Sequence, residues 1–184
     1  MIFDDLHIVK SIVKYIILLL FSVMIISCGK IRQIPPEPWI EFRHVEIFDT
    51  IEPQLGNPAR AARVTFYFED GDGDIGHSRY YYYNNSDTMN LFFEAWLKKK
   101  GVFIKPGQGD FIQSSSFSIP DIEPEGQNKI VRGTIDVVLF YYLYNITDTA
   151  KYEFYLKDRA GNISNISETC EIPIGYTGVY PVDN

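Results

Sequence analysis

The sequence is poor in cysteine and in clustered basic residues, and both shortages exclude classes of protein. With two cysteines in 184 residues, the chain is not a disulfide-stapled scaffold, so its stability must come from a hydrophobic core. Its 17 Lys and Arg are outnumbered by 24 Asp and Glu, which leaves a formal net charge of -7. Nucleic-acid binding depends on clustered positive charge that neutralises phosphates. The sequence therefore predicts no nucleic-acid partner.

The sequence also lacks the short motifs of common hydrolases. It has three histidines, and neither H-E-x-x-H nor G-x-S-x-G occurs in it. His77 borders an acidic segment and could bind a transition metal with it, although a lone histidine in a loop is more often simply solvated. We therefore expect a protein that is not an enzyme.

Aromatic residues, by contrast, are plentiful, with 13 Tyr and 13 Phe. Both types favour pleated, half-buried surfaces over helices. A chain of 184 residues is long enough for one domain with a hydrophobic core and too short for two comfortable ones. Composition and length together indicate a single, mainly β domain.

The first 28 residues are typical of a bacterial lipoprotein leader. The apolar run from Tyr15 to Ile26 follows Lys10 and Lys14, as the hydrophobic region of a secretory signal follows its charged region, and the run is short for a membrane span. The letters IISC that end at Cys28 resemble a lipobox, in which the cysteine is acylated and becomes the first residue of the mature protein. We therefore predict a signal peptide over residues 1–27 and lipidation of Cys28. The alternative is an uncleaved membrane segment.

Residues 28–38 are predicted to form a tether between the lipid and the folded part. They are rich in proline, which favours a stiff and extended chain. Gly29 follows the cysteine where inner-membrane retention would typically require Asp, and Lys30 begins a stretch without the acids associated with surface export. This pattern favours a lipid-anchored protein of the outer membrane whose domain faces the periplasm rather than the cell surface.

Alternating apolar residues predict short strands through the rest of the chain. Between Ala62 and Glu69, every second residue from Val64 to Phe68 is apolar, so these side chains share one face. The segment from Asn90 to Lys98 fits either a strand or a helix. We assign a strand, because a Lys-Gly pair and the apolar residues 102–104 complete a hairpin with it.

Seven or eight such segments lie between residues 39 and 176, and the last of them runs from about 168 to 174. Short strands at regular spacing over this length are typical of a β-sandwich. Residues 177–184 are punctuated by Gly and Pro, so they are predicted to be a C-terminal tail outside the sandwich.

Four sequence blocks resemble a group of uncharacterised lipoproteins from Bacteroidota. The blocks are FYFEDGDGDIG, NLFFEAWLKKKGVF, IPDIEPEGQNKIVRGTIDV and FYLKDRAGNISN. The resemblance covers nearly the whole mature chain, and it implies an Ig-like fold for the sandwich and an outer-membrane lipoprotein. It implies no known activity. The last block is also similar to the D-x-A-G-N-x-S turn of bacterial Ig-like and adhesin modules, present here from Asp158 to Ser164.

The most specific chemical feature is the segment DGDGDIG at residues 70–76, directly after a predicted strand. Its glycines satisfy G-x-G-x-x-G, but Asp72 and Asp74 would repel a pyrophosphate and no helix N-terminus follows to receive one, so we reject dinucleotide binding. Asp70, Asp72 and Asp74 also occupy positions 1, 3 and 5 of an EF-hand loop. That motif is incomplete, because Tyr81 stands where its bidentate Glu belongs.

These three aspartates are close enough to repel one another unless a cation lies among them, and Ca²⁺ requires roughly six to eight oxygen ligands. In an Ig-like sandwich the strands before Asp70 and Asp158 would run in the same direction, so that both following loops emerge at one pole. We therefore predict a divalent cation site with Ca²⁺ as a structural cofactor. The alternative is a solvated Gly-Asp turn whose acids keep an edge soluble. The predicted ligands are Asp70, Asp72, Asp74, Asp158 and Asn162.

A run of tyrosines, Tyr80, Tyr81, Tyr82 and Tyr83, gives a second functional hypothesis. Aromatic rings can form a platform for sugar rings, although alternating tyrosines on sheet faces explain the run at least as well. We expect a non-catalytic envelope lipoprotein whose Ig-like domain is a binding or structural module for an envelope protein or a glycan. The alternative is a glycan-binding accessory lipoprotein that uses these tyrosines.

Overall fold

The computed structural model describes residues 13–16, 34–54, 56–77, 88–123, 129–142 and 148–181. The chain divides into two units, Met1–Gln33 and Ile34–Asn184. The described part of the first unit is helical at residues 13–16. No helix among the described residues is long and apolar enough to cross a membrane. The signal peptide, Cys28 and most of the tether stay predictions, because they lie outside the described residues.

The second unit is built from β-strands. They form two antiparallel sheets, which confirms the predicted all-β sandwich. The described residues contain ten strands: β1 (Trp39–Ile51), β2 (Pro58–Asp70), β3 (Leu91–Lys99), β4 (Val102–Ile104), β5 (Ser115–Phe117), β6 (Val131–Tyr141), β7 (Thr149–Leu156), β8 (Ser167–Glu168), β9 (Ile172–Pro173) and β10 (Gly178–Pro181).

The strand order is that of an Ig-like sandwich. One sheet has the order β10-β1-β2-β6, and the other has the order β4-β3-β7-β8, with β5 also paired to β3 and β9 to β7. In Ig notation β1, β2 and β6 correspond to strands A, B and E, whereas β3 and β7 correspond to C and F, and β8 with β9 to G. Strands B and F therefore lie in opposite sheets.

The core between the two sheets is rich in aromatic rings. Phe66 of β2 packs against Phe154 of β7 with ring centroids 5.2 Å apart, and Phe93 of β3 stacks on Phe154 at 4.9 Å. All three side chains are buried. The period-two alternation of apolar residues in β2 and β7 turns these rings inward, so the sandwich is held together by contacts between the strands that carry the acidic loops.

The segment at residues 90–98 is a strand, as predicted, because its buried and half-buried residues alternate along β3. Lys99 of β3 pairs with Val102 of β4. The two residues between them, Lys100 and Gly101, both have positive φ, at 52° and 81°. A type I′ hairpin turn requires this conformation at both central residues, so the turn determines the register of the hairpin.

The C-terminal part differs from the sequence prediction. The single strand predicted for 168–174 is divided into β8 and β9, because the Thr169 hydroxyl accepts a hydrogen bond from the Tyr152 N–H at 2.9 Å and interrupts the regular ladder. Within the predicted tail 177–184, Gly178–Pro181 form β10, which pairs with β1. Tyr180 of this strand packs against the core, so part of the tail belongs to the sandwich.

We expect Phe154→Ala to lower the free energy of unfolding by about 3–5 kcal/mol, because it removes a buried ring that touches strands of both sheets. Phe111→Ala is the matched control, since Phe111 is 66% exposed, and its effect should stay within about 0.5 kcal/mol. Denaturant unfolding measures both changes. A loss below about 1.5 kcal/mol for Phe154→Ala would contradict the central role of this ring.

Candidate metal centre

Four aspartates from two loops meet at one pole of the sandwich. Asp70 ends β2, Asp72 and Asp74 follow it in the next loop, and Asp158 lies in the loop after β7. One carboxylate oxygen from each residue lies within 4.8 Å of the other three. The two turns that the sequence analysis expected to meet therefore do meet, because β2 and β7 end at the same pole.

The first loop is shaped around Asp70. Its Oδ2 accepts a hydrogen bond from the Asp74 backbone N–H at 2.9 Å, which curls the chain back on itself. Gly73 permits this reversal, because its φ of 70° lies in the left-handed region that glycine adopts without strain. The curl brings Asp72 and Asp74 to the same small volume as Asp70.

The second loop holds Asp158 through Asn162. The Asn162 backbone N–H donates to Asp158 Oδ1 at 2.7 Å, and the Asn162 side-chain Nδ2 donates to Asp158 Oδ2 at 2.8 Å. Gly161, with a φ of 93°, allows the tight turn between them. Asn162 therefore orients a carboxylate of the cluster, whereas a direct bond from Asn162 to a cation stays a prediction.

Hydrogen bonds between the two loops determine their spacing. The Ala160 N–H donates to Asp74 Oδ2 at 2.9 Å, and the Arg159 N–H donates to the Asp74 carbonyl at 3.3 Å. The Arg159 side chain donates to the Gly76 carbonyl at 3.3 Å and forms an ion pair with Asp121. In the sequence, the only signal at Arg159 is that a basic residue directly follows a predicted ligand.

Three carboxylate oxygens of the cluster are buried without a hydrogen-bond donor among the described residues. They are the Oδ1 atoms of Asp70, Asp72 and Asp74, and Asp70 is 0% exposed. Buried carboxylate oxygens normally have a hydrogen-bond partner. An ionised carboxylate that loses its water and gains no partner costs on the order of several kcal/mol. These oxygens therefore require a positively charged partner or a proton.

The same crowding raises pKa values in the cluster. The pKa of Asp70 is raised to about 6, above all by burial; the hydrogen bond from the Asp74 N–H opposes the rise, and the charges of Asp72, Asp74 and Asp158 add to it. The pKa of Asp74 is also raised, first by burial and then by the charges of Asp158 and Asp72. In both residues burial is the larger cause, and the negative charge of the neighbouring aspartates adds to it.

The arrangement can hold a metal ion. Four carboxylates converge on one point and supply an oxygen-only ligand set, which hard divalent cations prefer. His77, which the sequence analysis considered as a ligand, is buried. In the part of the chain that the structure describes, the cluster of candidate ligands consists of the four aspartates and does not include His77.

The other predicted site residues lie outside the described residues. They are Cys28, for lipidation, and Tyr80, Tyr81, Tyr82 and Tyr83, for sugar binding. Both roles stay predictions.

Comparison with known proteins identifies no family for this chain. No protein-family model, no curated protein and no solved structure matches the chain significantly. The resemblance to Bacteroidota lipoproteins therefore stays an expectation that rests on the sequence blocks. The aspartate cluster is therefore the feature of the described residues that bears most directly on function.

In cation-free buffer, we expect Asp70→Asn to stabilise the protein at about pH 7.5 and to have a smaller effect at about pH 5. Folded Asp70 keeps its proton up to about pH 6, whereas its ordinary pKa is 3.8. The folded state thus binds more protons between these values, so the contribution of Asp70 to stability falls as the pH rises through this window. Above about pH 6 the Asp70 carboxylate is charged and buried, so Asp70→Asn removes an unfavourable charge from the folded state. Denaturant unfolding at the two pH values measures the difference.

Asp110→Asn is the control for this experiment. A hydrogen bond from Lys99, together with one from the Gly107 N–H, lowers the pKa of Asp110. Its carboxylate therefore favours the folded state at neutral pH, and Asp110→Asn should not stabilise the protein at about pH 7.5. An equal gain from Asp70→Asn at both pH values would contradict the expectation.

Proposed function

We propose that the protein is a non-catalytic, lipid-anchored module of the cell envelope, whose Ig-like domain is held in shape by Ca²⁺ at the pole where β2 and β7 end. The observation that carries this proposal is the set of three buried Oδ1 atoms, those of Asp70, Asp72 and Asp74, which no described donor satisfies. A divalent cation would satisfy all three and offset the repulsion among the four carboxylates.

The number of carboxylates favours Ca²⁺ over Mg²⁺, because Mg²⁺ usually keeps several waters and binds only one or two carboxylates. Bonds of about 2.3–2.6 Å place opposite ligands of Ca²⁺ about 4.6–5.2 Å apart, whereas opposite ligands of Mg²⁺ are about 4.0–4.2 Å apart. The four oxygens lie within 4.8 Å of one another, a spacing that the opposite ligands of Ca²⁺ can span. Transition metals that prefer imidazole or thiolate ligands find neither among the four aspartates.

The geometry supports a structural role for the cation. Asp70 is tied into its loop by the Asp74 N–H, Asp74 is tied to the second loop by the Ala160 N–H, and Asp158 is tied to Asn162. Asp70 ends a strand of one sheet, and Asp158 follows a strand of the other. A cation bound by both would join the two sheets at this pole, which is a stabilising task that needs no substrate.

The envelope location is supported by the leader residues that end at Cys28. Under this proposal the acylated Cys28 holds the module at the outer membrane, and the domain faces the periplasm. Its partner is an envelope protein or a glycan. The glycan-binding alternative depends on Tyr80–Tyr83, which lie outside the described residues, and it stays a prediction.

We expect Ca²⁺ to bind to a chain of residues 29–184, and Asp72→Asn to weaken this binding by roughly tenfold or more, because one charged ligand is lost. Asp72 carries none of the loop hydrogen bonds described above, so the substitution acts on the ion rather than on the shape of the loop. Calorimetric titration measures the affinity. Ca²⁺ at a hundred times its dissociation constant should add about 2.7 kcal/mol to the stability of the wild-type chain.

Glu171→Gln is the matched control, because it removes the same charge from an exposed residue that pairs with Lys98. Its affinity for Ca²⁺ should equal that of the wild type. Identical titrations of the wild type and Asp72→Asn would show that the aspartate cluster is not the binding site. Tighter binding of Mg²⁺ than of Ca²⁺ would reassign the ion.

A further inference from the structure

The start of the folded unit is in direct backbone contact with the acidic loop. A Cβ placed on Gly71 would lie 2.2 Å from the carbonyl oxygen of Pro35 and 2.4 Å from that of Ile34. Such distances are not found for real Cβ atoms, so only glycine fits at this position while Ile34 and Pro35 stay where they are. Gly71 lies between the candidate ligands Asp70 and Asp72.

We propose that cation binding docks the N-terminal tether. An ion bound by the four aspartates fixes residues 70–72 in the position that receives Ile34 and Pro35. This inference rests on the proposed function, because it requires an ion at the aspartate cluster.

Cation binding and tether docking are connected by the repulsion among the carboxylates, which a bound cation relieves. With no positive charge between them, the carboxylates on either side of Gly71 repel each other and those of Asp74 and Asp158. The hydrogen bond from the Asp74 N–H to Asp70 Oδ2 then has to hold the loop against this repulsion, so the backbone at Gly71 is less restrained than with a cation bound. Each bond to a cation restrains the loop. A tether that docks afterwards therefore loses less conformational entropy, because the loop is already ordered. Linkage requires the reverse as well, so a docked tether raises the affinity for the ion.

The tether is suited to this contact. Residues Pro35–Pro38 include three prolines, which restrict the backbone and reduce the entropy lost on docking. The next residue, Trp39, begins β1 and pairs with Glu69 of β2. The chain preceding β1 therefore runs alongside the end of β2 and reaches Gly71 directly, with no intervening element.

The test is a double-mutant cycle on Ca²⁺ affinity. Two chains, residues 29–184 and residues 36–184, are each prepared with Gly71 and with Gly71→Ala, and both lengths contain all ten described strands. We expect removal of residues 29–35 to weaken Ca²⁺ binding by roughly fivefold or more. Gly71→Ala should weaken binding by a similar factor in the longer chain. It should have no effect in the shorter chain, where the residues it collides with are gone.

Gly107→Ala is the matched control, because its Cβ would meet only the Asp110 carboxylate at an ordinary 3.6 Å, and it should leave the affinity unchanged. Equal affinities of the long and short chains would overturn the docking and leave the proposed cation site intact. An equal effect of Gly71→Ala in both chains would also overturn it, since the substitution would then act on the loop itself. Absence of Ca²⁺ binding in all the chains would overturn the proposed function, and this inference with it.

Trypsin cleavage after Arg32 gives the reciprocal measurement. A protease must bind several extended residues on both sides of the bond, so docking of Ile34 and Pro35 should hinder it. We expect saturating Ca²⁺ to slow this cleavage by roughly fivefold or more in the 29–184 chain and to leave it unchanged in the Gly71→Ala chain. Equal rates with and without Ca²⁺ in the unsubstituted chain would overturn the docking.

Discussion

Repulsion among four carboxylates governs the pole at which β2 and β7 end. Two unit charges 4.8 Å apart, the upper limit within this cluster, repel each other by about 3–4 kcal/mol at an effective dielectric constant of ~20. The hydrogen bonds of Asp74, Asp158 and Asn162 hold the acids together against this force. This repulsion is relieved when the folded domain takes up a proton, which the raised pKa of Asp70 favours, or a cation.

Much of this arrangement could be predicted from local pattern and one topological rule. The alternation in β2 indicates which side chains face the core, and the Lys100-Gly101 pair indicates the hairpin between β3 and β4. Both signals are local, because side-chain direction and turn type depend on neighbouring residues. The meeting of Asp70 and Asp158 followed from the Ig-like order of strands, which places the ends of B and F at one pole.

The features that could not be predicted depend on contacts between distant parts of the chain. Gly178–Pro181 forms a strand because the edge of β1 is available to it, and a short Gly- and Pro-flanked segment carries little signal of its own. The interruption between β8 and β9 depends on which group the Thr169 hydroxyl meets. Glycine is required at position 71 because a Cβ there would collide with the Pro35 carbonyl, and not because of its φ. No spacing of residues in the sequence indicates that these two segments come so close.

The position of β1 has a mechanical consequence. This strand follows the tether, and it is an interior strand of its sheet, paired with β2 on one side and with β10 on the other. A force applied to the N-terminal segment is therefore transmitted to the domain first through β1. The hydrogen bonds of an antiparallel ladder lie perpendicular to the strands, so a pull directed along β1 loads them together. β10 adds a second row of bonds along residues 44–47, so the middle of β1 is held on both edges.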